Sequence, residues 1–195
     1  SSAACECYLR LTAPRARARG QGLLPQAESP EPASCRRFIL GAPMTTARSL
    51  VVDPTTAGYY NCTSRCVRRA FLCGDEHEHR RDWILDRLIE LDEIFAVDVC
   101  ACAILPNHLH TLAYTDPNRA AGWSAEEVAR RWVRLYPKCV PFGLDEREAI
   151  LVFAADRERI ATWRFRLSSL SWFMKCLKEP IARQANREDG CLSLI

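Results

Sequence analysis

The sequence predicts an α+β fold: a ferredoxin-like antiparallel sheet with packed helices, preceded by a disordered leader. Two observations predict the sheet. A short segment that begins with two tyrosines has the composition of a strand, and a dense run of Val, Ala and Cys leads through a turn into another strand. Helices are predicted because apolar residues recur with a helical period between and after these strands. Hydrophobic residues make up 48% of the 195 residues, which is enough for one buried core.

Each element has its own local signal. Pro106-Asn107 is typical of a turn between two strands. Ser124 with Glu127 three residues later is a capping box that opens a helix, whereas Pro180 can break the last helix. The predicted elements are a strand at 59–65, a helix at 78–95, strands at 95–104 and 108–114, and helices at 124–136, 145–161 and 171–186.

Residues 1–43 differ in composition from the rest of the chain, with five prolines and an Arg/Ala run. We predict a disordered leader, and Met44 is a plausible native start. The alternative is a basic arm that contacts phosphates. Residues 44–190 are predicted to form one domain, and residues 191–195 an aberrant tail.

Charge and cysteine content restrict the class of protein. The net charge of +3 does not identify a DNA-binding protein, so a local basic face would be needed. The 11 cysteines are an odd number, and the sequence has neither a secretory signal pattern nor an apolar run long enough to span a bilayer. We therefore expect reduced thiols, a cytoplasmic protein and no membrane partner.

His108 and His110 are the main candidate for a metal site. In a strand, residues two apart point to the same face, so the two imidazoles are predicted to lie side by side. Such a pair can hold one divalent ion that polarises a phosphate, although a third protein ligand is needed. The alternative is two surface histidines on an edge strand.

Two further groups have weaker metal signals. His77 and His79 form a second H-x-H, but they lie at a helix start within a charged run, where residues two apart do not share a face. Cys62, Cys66 and Cys73 suggest zinc, yet their spacing lacks paired C-x-x-C knuckles and a fourth ligand is not evident.

Basic residues cluster at three places, and each cluster is a candidate for contacting DNA phosphates. The alternative for the two helical clusters is an ordinary solvated helix face. The candidate DNA-binding residues are Arg65, Arg68 and Arg69 around the first strand, then Arg130, Arg131 and Arg134, and finally Lys175, with Lys178 and Arg183 on the same helix.

Four segments together resemble the REP-associated tyrosine transposases and related single-tyrosine HUH transposases. Residues 59–74 are similar to the opening strand of that family, and residues 100–110, ending in Asn107-His108-Leu109-His110, are similar to its HUH strand pair. Residues 171–175 and 182–186 resemble its following helix, and the likeness spans about residues 44–191.

The resemblance implies metal-assisted cutting and rejoining of single-stranded DNA near hairpins. It implies that His108 and His110 hold Mg²⁺ or Mn²⁺. It also implies that a tyrosine on a later helix attacks the phosphate and becomes joined to the 5′ end, so that rejoining needs no ATP. The protein could also bind a second copy of itself and form a homodimer.

The sequence departs from the family at the nucleophile. No tyrosine follows Tyr136, and Gly190 is followed by five residues where the family continues into its tyrosine helix. Asn61 also stands where many relatives have histidine. We therefore expect a truncated transposase, inactive in this form. The alternatives are a non-catalytic DNA-binding fragment and a small metal-binding protein unrelated to DNA.

Overall fold

A computed structural model describes residues 56–65, 72–74 and 77–190 of the chain. The predicted leader and tail lie outside the described residues, as do Cys66, Arg68 and Arg69. The elements are β1 (Gly58–Arg65), α1 (Arg80–Ile94), β2 (Val97–Ile104), β3 (His108–Thr115), α2 (Pro117–Ala121), α3 (Ala125–Leu135), α4 (Glu146–Ala155), α5 (Arg157–Ser168) and α6 (Leu170–Glu188).

The three strands form one antiparallel sheet in the order β1-β3-β2, so β3 is the central strand. Helix α1 connects β1 to β2, and the predicted Pro106-Asn107 turn joins β2 to β3. The backbone N–H of Leu105 closes that turn by donating to the carbonyl oxygen of His108 (2.8 Å). The α+β class predicted from the sequence is therefore confirmed.

The two faces of the sheet have different environments because successive side chains of a strand alternate between them. On one face Leu109 and Ala113 of β3 are buried in a core that also contains Leu88 of α1 and Phe173 of α6. The opposite face carries His108 and His110, and the β1 side chains that lie beside them in the register are exposed. We call this second face the exposed face of the sheet.

The helical region differs from the sequence prediction in three places, two of them before α6. The single helix predicted at 145–161 is instead two helices, because Asp156 ends α4 and its side chain accepts a hydrogen bond from the backbone N–H of Arg159 to cap α5. The short helix α2 was not predicted. It begins at Pro117, and the side chain of Asp116 accepts from the backbone N–H of Asn118.

Helix α6 continues through Pro180 instead of breaking there. Proline has no backbone N–H, so the carbonyl oxygen of Cys176 loses its usual partner four residues along the helix. The side chain of Arg87, on α1, donates from Nε to that oxygen at 3.2 Å. A bond between two helices thus replaces the one that Pro180 removes. Among the described residues, no helix is both long and apolar enough to cross a bilayer.

Candidate metal and nucleic-acid site

His108 and His110 lie side by side on the exposed face of β3. Their ring centroids are 6.2 Å apart with an interplanar angle of 20°. The alternative of an edge strand is wrong, since β3 pairs with β1 on one side and with β2 on the other. In the register, His108 faces Arg65, and His110 lies between Thr63 and Ala103.

Hydrogen bonds orient both imidazole rings. The side-chain oxygen of Asn107 lies 2.6 Å from Nδ1 of His108, and because an amide oxygen only accepts, Nδ1 carries the proton. Nε2 of His108 then has a lone pair, which accepts a hydrogen bond from Nε of Arg65 at 2.8 Å. The hydroxyl of Thr63 lies 3.1 Å from Nδ1 of His110. The Nε2 atom of His110 has no hydrogen-bond partner within the described part of the chain.

The donor set of this pair fits part of a metal site. Metal-binding histidines typically have such a hydrogen-bond partner on the ring nitrogen that faces away from the ion, as Asn107 is for His108. Two nitrogen donors are present, but Arg65 must move before His108 can bind a cation. In the described ranges no Asp, Glu, Cys or further His completes a three-ligand group with the pair at a ligand spacing of 4.8 Å. The third ligand expected from the sequence is therefore not identified.

A different group does meet that spacing: His77, Glu188 and Asp189. Arg80 already occupies both carboxylates, because its buried guanidinium donates to Glu188 (2.7 Å) and to Asp189. His79 Nε2 lies 2.6 Å from the Glu188 carboxylate. These contacts fasten the end of α6 to the start of α1, and we call the five residues the α1–α6 clamp. Sequence reasoning could not find it, because 109 residues separate His79 from Glu188.

A groove of about 770 Å³ lies between β1 and α6. Arg65 and His108 line its β-strand side, so one histidine of the pair borders the groove. On the other side, Lys175, Lys178 and Asn186 lie at helical spacing along α6. Of the basic residues predicted to contact DNA, Arg65 and Lys175 are therefore brought to one groove. Lys178, which belongs to the same predicted cluster as Lys175, also lines this groove.

The arginines of α3 are engaged elsewhere in the fold. Arg130 and Arg131 both pair with Glu127, and Arg134 pairs with Glu93. Arg131 also donates to the carbonyl oxygen of Ile94 at the end of α1 (3.0 Å). The pairs with Glu127 lie within α3, whereas the contacts with Glu93 and Ile94 link α3 to α1. A DNA-binding role for this cluster stays a prediction. The zinc hypothesis also stays a prediction, because Cys66 lies outside the described residues.

The tyrosines of the described region differ in environment, and Tyr60 packs against the core. Tyr59 and Tyr114 pair on the exposed face, with ring centroids 4.8 Å apart. Tyr136 is different: burial and a 3.3 Å hydrogen bond to the sulfur of Cys176 raise the pKa of its phenol well above the ordinary value. A phenol whose ionisation is suppressed is a poor nucleophile, so the environment of Tyr136 does not suit nucleophilic attack.

Comparison of the chain with protein-family models, curated proteins and solved structures gives no match.

Proposed function

We propose that the chain is the metal- and DNA-binding part of a single-tyrosine HUH transposase that acts on single-stranded or hairpin DNA. The observation that carries the proposal is the pair His108 and His110, oriented on the exposed face of the sheet and bordered by Arg65. The order of elements, β1-α1-β2-β3 with β3 central, supports it further because it corresponds to the first part of a β-α-β-β-α-β ferredoxin-like arrangement.

In this proposal the two histidines hold Mg²⁺ or Mn²⁺, which when bound supplies polarisation of the scissile phosphate. Hydrogen bonds with Asn107 and Thr63 orient the two imidazole rings, and the bond to Asn107 leaves the lone pair of His108 on Nε2. Arg65 exchanges its bond to His108 for a charge-assisted bond to a phosphate oxygen. Lys175 and Lys178 neutralise further phosphates across the groove.

Calorimetry with Mn²⁺ tests the metal site. We expect the wild-type chain to bind the ion and the double variant His108→Ala, His110→Ala to lose binding while keeping its circular dichroism spectrum, since both side chains project from the core. His77→Ala is a matched control that should bind as the wild type does. If the double variant binds normally and His77→Ala does not, the ion binds at the α1–α6 clamp and the proposed site is wrong.

Salt-dependent binding of hairpin DNA tests the nucleic-acid part. Arg65→Ala should weaken binding and lower the slope of log K against log salt by about one, the contribution of one phosphate contact. Arg147→Ala removes an exposed arginine from α4 and should change neither quantity. Salt-independent binding, or equal losses in both variants, would contradict the proposal. Mn²⁺ binding without any DNA binding would favour a small metal-binding protein unrelated to DNA.

A further inference from the structure

Tyr59 and Tyr114 form an aromatic surface on the exposed face of the sheet. They are directly opposite each other in the β1–β3 register, and their rings are tilted by 46°. The side chain of Tyr59 is 60% exposed, and the neighbouring Leu112, two residues along β3, is 39% exposed. Tyr114 is half-buried beside it, so the three side chains form one contiguous apolar patch, and such patches often mark binding surfaces.

A cross-strand aromatic pair also stabilises a sheet, by less than about 1 kcal/mol. That role accounts for the contact between the rings. It does not account for their alignment with basic groups on the same face. Along β1 the face carries Tyr59 at one end and Arg65 at the other, and along β3 it carries Tyr114 and then the histidine pair.

The distance between the two ends is fixed by the strands. Four residues separate Tyr114 from His110, which at the rise of an antiparallel strand is about 14 Å. The aromatic surface and the cationic groups are therefore separate but on one continuous face. A polymer with flat rings on an anionic backbone matches both ends, because its rings can stack on the tyrosines and its backbone can contact the cationic groups.

We infer that Tyr59 and Tyr114 form a stacking site for an unpaired base of single-stranded DNA whose backbone continues along β3 to Arg65 and the histidines. This inference rests on the proposed function and specifies how that site holds its substrate. Bases in a duplex already stack on their neighbours, so only an unpaired base can place its face on the tyrosines. Every base has such a face, so the site selects single strands without reading sequence.

The test compares two short oligonucleotides of equal length, a thymidine homopolymer and the same sugar–phosphate backbone carrying abasic residues. Fluorescence anisotropy gives the affinity for each. Wild type should bind the base-bearing strand roughly ten-fold more tightly. The variant Tyr59→Ala, Tyr114→Ala should bind both strands equally, at the wild-type affinity for the abasic strand. Tyr59→Phe with Tyr114→Phe keeps both rings and should behave as wild type.

Phe142→Ala is the matched control, because it removes a fully exposed aromatic ring that lies outside the sheet. Equal wild-type affinity for the two strands overturns the inference, whether or not the alanine variant folds. In that case DNA binding and Mn²⁺ binding by the histidine pair would leave the proposed function intact. Loss of base preference in the phenylalanine variant would also overturn it, since stacking needs no hydroxyl. Tighter base-dependent binding of oligouridine would replace DNA with RNA as the occupant.

Discussion

Replacing Arg65 with Met should change metal affinity and DNA affinity in opposite directions. Nε of Arg65 donates to Nε2 of His108 at 2.8 Å, and this is the lone pair that a metal ion requires. A cation must therefore break that bond and displace a positive charge. Met keeps the aliphatic length of the side chain and removes both obstacles.

The expected gain in metal affinity follows from the loss of one hydrogen bond with a charged donor. Such bonds contribute about 1.5–3 kcal/mol, and the lower end applies here because Arg65 is exposed and water can replace it. We therefore expect Arg65→Met to bind Mn²⁺ roughly ten-fold more tightly. The same variant should bind hairpin DNA more weakly, because it lacks the guanidinium that contacts phosphate.

Calorimetry with Mn²⁺ and anisotropy with labelled hairpin DNA measure the two effects on one protein preparation. Arg65→Lys is the informative control, since it keeps the charge but not the Nε donor, and should lie between wild type and Arg65→Met in metal affinity. Unchanged or weaker Mn²⁺ binding by Arg65→Met would refute the competition between Arg65 and metal for His108.

Further predictions concern stability and chemistry. Thr111→Val should stabilise the fold by about 1 kcal/mol in urea denaturation, because the hydroxyl of Thr111 is fully buried without a partner; a loss of stability would contradict this. Removing both Glu188 and Asp189 should lower the free energy of unfolding in urea more than Arg80→Met does, because the double removal leaves a buried guanidinium without a partner, whereas the carboxylates can be rehydrated. Although burial acts in the opposite direction, hydrogen bonds from Arg80 and from a histidine lower the pKa of Glu188 below its ordinary 4.5. The stabilisation from Glu188 should therefore be complete above pH 4.5 and lost as the pH falls below it, and Glu188→Gln should flatten that part of an acid-unfolding curve. No covalent 5′ adduct with DNA should form on a denaturing gel, and an adduct mapped to Tyr136 would overturn the argument from its raised pKa.

The parts of the site that could be predicted from sequence depend on local geometry. His108 and His110 share a face because the side-chain period of a strand is two, and no long-range contact is needed to reach that conclusion. The hairpin was also predictable from local sequence, because Pro106-Asn107 is a turn signal between two predicted strands.

The remaining parts depend on pairing between distant segments. Arg65 was a candidate for binding phosphate, but its bond to His108 follows from the β1–β3 register, which spacing alone does not define. The pairing of Tyr59 with Tyr114 depends on the same register. The α1–α6 clamp depends on how two helices dock, and the boundary at Asp156 was missed because a helical period continues across it.

The bond between Arg87 and the carbonyl oxygen of Cys176 gives Pro180 a role in specifying alignment. In an isolated α6 that oxygen would bind water, because residue 180 has no N–H to donate to it. When α6 slides or rotates on α1, Arg87 no longer meets the carbonyl that Pro180 leaves without its helical donor. The proline thus makes incorrect alignments of α1 and α6 less favourable than the native one, because only the native alignment forms this hydrogen bond.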